Sequence, residues 1–105
     1  MTDKVLVLTT VSNEAEAQKI AQELVERKLA ACVNVVPKIQ SVYRWQGKVE
    51  SAEEYLLLIK TTRARVDAVQ RAIRELHSYE LPEFVVISID GGSPEYLSWI
   101  ADSVR

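Results

Sequence analysis

His77 is the only histidine in the chain, and two glutamates follow it closely in His77-Ser78-Tyr79-Glu80-Leu81-Pro82-Glu83. Imidazole nitrogen and carboxylate oxygen together suit a divalent transition metal. His77, Glu80 and Glu83 are therefore the candidate metal ligands. The competing expectation for His77 is a solvent-facing residue at a helix C-terminus, where a partial positive charge complements the dipole. A single histidine cannot build a hydrolytic set with a choice of bases. CxxC, HExxH and GxSxG patterns are missing, and Gly91-Gly92 lacks the Lys-Ser or Lys-Thr of a phosphate loop. These residues predict a binding protein, not an enzyme.

A second group of side chains suits a small anion. Lys60 sits in an apolar run, where a lysine must snorkel, pair with a carboxylate or hold an anion; Glu83 is its expected partner. Cys32, Arg44, Trp45, Lys60 and Tyr79 are the candidate lining of a ligand cleft. The plainer expectation for Cys32 is a small buried hydrophobe, with soft copper ligation as the alternative. Tyr43, Trp45, Tyr96 and Trp99 read as core or interface aromatics.

Composition narrows the classes. The 105 residues allow one domain, residues 1–105, with one modest core. A net charge of −2 argues against nucleic acid, which calls for a basic face. With one cysteine no intrachain disulfide forms, so a reducing, cytoplasmic setting is expected. The start, Met1-Thr2-Asp3-Lys4, makes a poor signal-peptide n-region. No apolar run approaches a membrane span.

These residues are positioned by a legible series of elements. Val5–Val11 is a β-branched run expected to be a strand buried on both faces. Ser12 or Asn13 offers an N-cap for an amphipathic helix over 13–28, with Ala17, Ile20, Ala21 and Leu24 at helical spacing. Residues 32–45 are β-rich, and Pro37 places a bulge or break in what must be an edge strand. Gln46-Gly47 is a two-residue hairpin turn, which sets Trp45 opposite Lys48 and Tyr43 opposite Glu50. The return strand runs over 48–61, and Thr62 caps a second helix over 63–77. Residues 84–89 make the fourth strand, and Pro94 opens a short C-terminal helix reaching Val104.

This order predicts an α+β, ferredoxin-like βαββαβ antiparallel sheet with a short C-terminal helix. Right-handed crossovers put both long helices on one face. The strands are nonetheless apolar on both sides: Val5 and Val7 alternate with Leu6 and Leu8, and Leu57 and Ile59 with Leu56 and Leu58. About six large side chains thus remain for the uncovered face. At roughly 1.5–3 kcal/mol each, their exposure would forfeit on the order of 10 kcal/mol, a small domain's whole stability. Self-assembly is expected.

Three stretches together carry a family resemblance: Leu29-Ala30-Ala31-Cys32-Val33-Asn34, Tyr43-Arg44-Trp45-Gln46-Gly47-Lys48-Val49-Glu50 and Tyr79-Glu80-Leu81-Pro82-Glu83. Ile59-Lys60-Thr61-Thr62 and Tyr96-Leu97-Ser98-Trp99-Ile100 add to it. The chain resembles the CutA family of divalent-cation tolerance proteins over its whole length. The resemblance implies a ferredoxin-like fold and a homotrimer built like the PII signalling proteins. It also implies tolerance of copper and other divalent cations, and ligand clefts between subunits. A PII-like sensor of a small anion is the alternative function. The copper ligands proposed in the family are a cysteine ending the first strand and an adjacent histidine pair. Thr9 and Leu76-His77 stand at those positions here, so His77 alone is kept.

Overall fold

A computed structural model describes residues 2–105; Met1, the first residue of the N-terminal tetrad read above, lies outside them. Strand β1 (Lys4–Val11) is followed by helix α1 (Glu14–Glu26), strands β2 (Cys32–Trp45) and β3 (Lys48–Thr62), helix α2 (Val66–Leu76), strand β4 (Val85–Ser88) and helix α3 (Pro94–Ser103). The sheet order is β2-β3-β1-β4 with every pairing antiparallel. The expected α+β, ferredoxin-like arrangement is present.

Local chemistry accounts for the element ends. The Asn13 side chain accepts the Glu16 N–H at 2.8 Å, and Glu14 and Glu16 occupy the first turn of α1. The helix stops at Glu26, short of the expected Lys28, because Lys28 takes φ 58°. Leu29 N–H then donates to the Leu24 carbonyl and Lys28 N–H to that of Val25. That bond pair closes a helix on a left-handed residue, a place glycine usually fills.

Edge strand β2 carries the expected irregularity, a register shift between Val36 and Ile39 with Lys38 at φ 57°. At the hairpin tip Gln46 and Gly47 both have positive φ, 50° and 80°, matching the turn that follows the strands' twist. Trp45 faces Lys48 and Tyr43 faces Glu50, as the spacing predicts. β3 has no β1 partner before Tyr55, so the distal hairpin projects as a two-stranded arm.

The start of α2 corrects one expectation. Thr62 forms no side-chain cap, and a 3-10 turn over Arg63–Arg65 precedes the helix. Thr62 is the last residue of β3 and is buried opposite Lys4, while Arg63 N–H donates to the Asp3 carbonyl at 2.7 Å. The residue just before β1 thus satisfies one of the orphan N–H groups at the start of this turn.

Register decides the faces. Val5, Val7, Leu57 and Ile59 are fully buried among Ile20 and Leu24 of α1 and Val69 and Ile73 of α2. Leu6, Leu8, Leu56, Leu58, Val85 and Ile87 share the opposite face. Helix α3 covers one end of it, burying Ile100 against Ala31 and Val104 and bringing the Tyr96 hydroxyl to 3.4 Å from Lys60 Nζ. The remainder stays open: Val85 is 45% exposed and Ile87 43%.

Candidate functional site

The loop from α2 to β4 meets the base of the hairpin arm, and His77 organises it. His77 follows the last residue of α2 in extended backbone, φ −86° and ψ 141°, which turns its ring inward. The side chain is 0% exposed, so the expectation of a solvent-facing histidine is corrected. Tyr79 N–H donates to Nδ1 at 3.1 Å, which assigns the proton to Nε2; Nε2 then donates to the Thr10 carbonyl at 2.7 Å. Both ring nitrogens are therefore committed. Glu16 Oε2 lies 3.5 Å from Nδ1, buried and without a hydrogen bond.

Tyr79 carries the arrangement onward. Its ring lies 4.8 Å from that of His77, and its hydroxyl donates to Glu54 Oε2 at 2.6 Å. Desolvation and the hydrogen bond to Glu54 raise its phenol pKa well above the usual tyrosine range. Glu54 is only 6% exposed, and among the described residues no lysine, arginine or histidine pairs with it. Such isolation is unusual for a buried carboxylate.

Glu54 borders an open cleft of about 820 Å³ between the arm and the 77–84 loop. Tyr43, Trp45, Tyr79 and Phe84 contribute aromatic surface, and Glu50, Glu80 and Glu83 add carboxylates. None of its lining residues is a lysine or arginine. The Glu83 pKa is raised by partial desolvation and then by the Glu54 charge.

The predicted sites are thereby rearranged. Among the described residues no three His, Cys, Asp or Glu side chains gather to hold an ion, so His77, Glu80 and Glu83 do not converge on one point. His77 is sealed behind Tyr79 by its hydrogen bonds, whereas Glu80 and Glu83 line the cleft. The predicted anion-cleft residues are divided within the chain. Cys32 and Lys60 face each other across β2 and β3, and Lys60 Nζ lies 5.6 Å from the centre of the Tyr96 ring. Trp45 and Tyr79 line the acidic cleft instead, and Arg44 is exposed outside its lining. The expected Lys60–Glu83 pair is not formed, since Lys60 lies beneath α3 and Glu83 lines that cleft. Cys32 is half-buried, with Sγ 3.7 Å from Asn34 Oδ1.

Glu54 was missed by the sequence reading, although its signal was available. Strand alternation places it in one row with Leu56 and Leu58, as the carboxylate directly continuing that apolar face. What sequence spacing does not convey is the phenol of Tyr79 arriving from a separate loop.

The family model described as CutA1 divalent ion tolerance protein matches residues 5–103. The chain belongs to the CutA1 family. Relatives of this CutA1-family chain include a Xenopus laevis protein named Protein CutA homolog, 48% identical over 95 residues. That match takes in 90% of this chain and 63% of the frog protein, so the chain spans about three fifths of that relative. A Thermus thermophilus protein named Divalent-cation tolerance protein CutA is 46% identical over 93% of this chain and 95% of its own length. Among solved structures, CutA from Xylella fastidiosa superposes with a TM-score of 0.96 at 40% identity, covering 99% of this chain and all of that one.

In this CutA1-family chain Thr9, where the resemblance places a cysteine, points into the helix-covered core with its hydroxyl unpartnered. Leu76 packs against that same core. Neither offers a ligand toward the cleft. No helix among the described residues is long and apolar enough to cross a membrane.

Proposed function

We propose that this chain serves divalent-cation tolerance by binding the cation, copper included, in the acidic cleft of a cytoplasmic homotrimer. The observation that carries this reading is the charge of the cleft: four glutamates line it, with no lysine or arginine among them. Glu54 and Glu83 are the carboxylates we assign to the ion. Glu80 stands at the rim, exposed. A cation held by two carboxylates completes its shell with water, so binding is weak and exchange fast. His77 acts as a positioning residue, because its ring fixes the backbone of Tyr79 and hence the phenol that orients Glu54.

Family membership supports this reading, as does the apolar sheet face, which a trimer would cover. The lone Cys32, with no partner for a disulfide in its own chain, fits a reducing compartment. We read the role as binding rather than catalysis, in keeping with the divalent ion tolerance family to which the chain belongs.

Calorimetric titration with Cu²⁺ and Zn²⁺ tests it. Heat that saturates in the wild type, falls at least tenfold in affinity in Glu54→Gln/Glu83→Gln and is weakened but not lost in His77→Ala is the expected result. Affinity abolished by His77→Ala but untouched by the glutamate changes would return the site to the imidazole and overturn this assignment.

A further inference from the structure

Glu54 is a carboxylate with 6% exposure, one tyrosine donor and no counter-charge among the described residues. A charge buried in this way is ordinarily paired. A cation that enters the cleft Glu54 lines would supply the missing counter-charge. Glu83 lines the same cleft, and partial burial followed by the Glu54 charge raises its pKa, so a cation beside it would favour its charged form.

The walls narrow the kind of cation. A bare metal ion would use only the carboxylate oxygens of this cleft and fill the rest of its shell with water. Aromatic faces contribute nothing to a coordination shell of that type. They do attract ammonium groups through the ring quadrupole, and more strongly where water is excluded. They also cover the carbon chain that such a group carries. A cleft of about 820 Å³ has the size of small-molecule sites rather than single-ion sites.

We infer that the cleft takes a small organic cation, a primary ammonium ligand, with its charged end at Glu54 and Glu83 and its carbon chain against Tyr43, Trp45 and Phe84. The inference rests on the same reading of the cleft as the working site and adds a ligand class to it. Metal and amine then compete for Glu54, but only the amine uses the aromatic walls.

That difference supplies the test. The assembled, ¹⁵N-labelled full chain is titrated with n-butylamine and 1,4-diaminobutane at pH 7, with butyrate and n-butanol as controls. Saturable movement of the Trp45 indole N–H resonance is expected with both amines and neither control, while the Trp99 indole stays still. Glu54→Gln, which keeps an acceptor for Tyr79, lowers amine affinity roughly tenfold or more. Trp45→Ala, followed through the Tyr79 amide, lowers it about three- to tenfold and leaves the Zn²⁺ titration unchanged. Dispersed spectra show that each variant is folded. No saturable movement with either amine overturns the inference, and leaves the metal reading standing if Zn²⁺ still binds. Equal response to butyrate, or amine affinity unaltered in Glu54→Gln, overturns it as well. Amine binding without any Zn²⁺ heat supports the inference and removes the metal reading.

Discussion

A short relay of polar groups joins three separate parts of the chain at the cleft. Thr10 in β1 accepts from His77, His77 accepts from Tyr79, and the Tyr79 hydroxyl donates to Glu54 in β3. Each group satisfies the next, so removing one strands a neighbour. Tyr79→Phe leaves a buried carboxylate oxygen without its donor, which costs about 1–3 kcal/mol at neutral pH; urea unfolding measures it. The pH dependence has a definite sign. The folded-state phenol pKa lies above its ordinary value of 10.0, so the folded chain holds this proton after the unfolded chain has lost it. The associated stability is complete below pH 10 and declines as pH rises further. Wild type should therefore lose stability more steeply above pH 10 than Tyr79→Phe, by up to about 1.4 kcal/mol per pH unit. Parallel curves for the two proteins in alkali would show that Tyr79 ionises as it does in the unfolded chain.

Elements end where backbone geometry changes, and two of the ends here use non-glycine residues at positive φ. Lys28 at φ 58° terminates α1, and Gln46 at φ 50° precedes Gly47 in the hairpin turn. Left-handed backbone costs a residue with a side chain roughly 1 kcal/mol relative to glycine. Lys28→Gly should consequently stabilise the chain by about 0.5–1 kcal/mol, read as a higher urea midpoint at unchanged slope; a lower midpoint would mean the lysine side chain has a stabilising contact there. This position also marks the limit of what sequence could show. Alternation and helical spacing revealed every strand and both long helices, because burial on one face leaves a period in the residue types. The end of α1 left no such trace, since no glycine marks it. Thr62 looked like a cap because its type fits one, yet pairing with Lys4 buried it in β3. The site was half legible for a related reason. Tyr79, Glu80 and Glu83 stand together in sequence, whereas Glu54 reaches them only through the fold, and His77 was read as exposed because its backbone turn is not a matter of residue type.

At the scale of the whole molecule the open sheet face carries the largest unbalanced term. Leu8, Leu56 and Leu58 are half-buried, Val85 and Ile87 are each more than two-fifths exposed, and Trp99 on α3 is 45% exposed. The projecting arm adds Val42 at 69% and Val49 at 66%. A two-stranded ribbon is marginal in water by itself, and contiguous apolar surface of this kind marks an interaction site. Both features are relieved together if copies of the chain pack sheet face to sheet face and each arm lies along a neighbour. That packing would place the cleft, at the root of the arm, beside a subunit boundary, so that assembly and ligand affinity become linked. Ile87→Glu tests the link, because a carboxylate on β4 would be buried unpaired in such an interface at a cost of several kcal/mol, yet it stays solvated in a single chain. Sedimentation should show wild type at three times the chain mass and Ile87→Glu at or near the single-chain mass. If the boundary helps shape the cleft, Ile87→Glu also binds Zn²⁺ more weakly, although Glu54, Glu83 and Tyr79 are all retained. A wild type that sediments as a well-folded single chain at micromolar concentration would remove the assembly, and the cleft would then have to work with the walls of one chain alone.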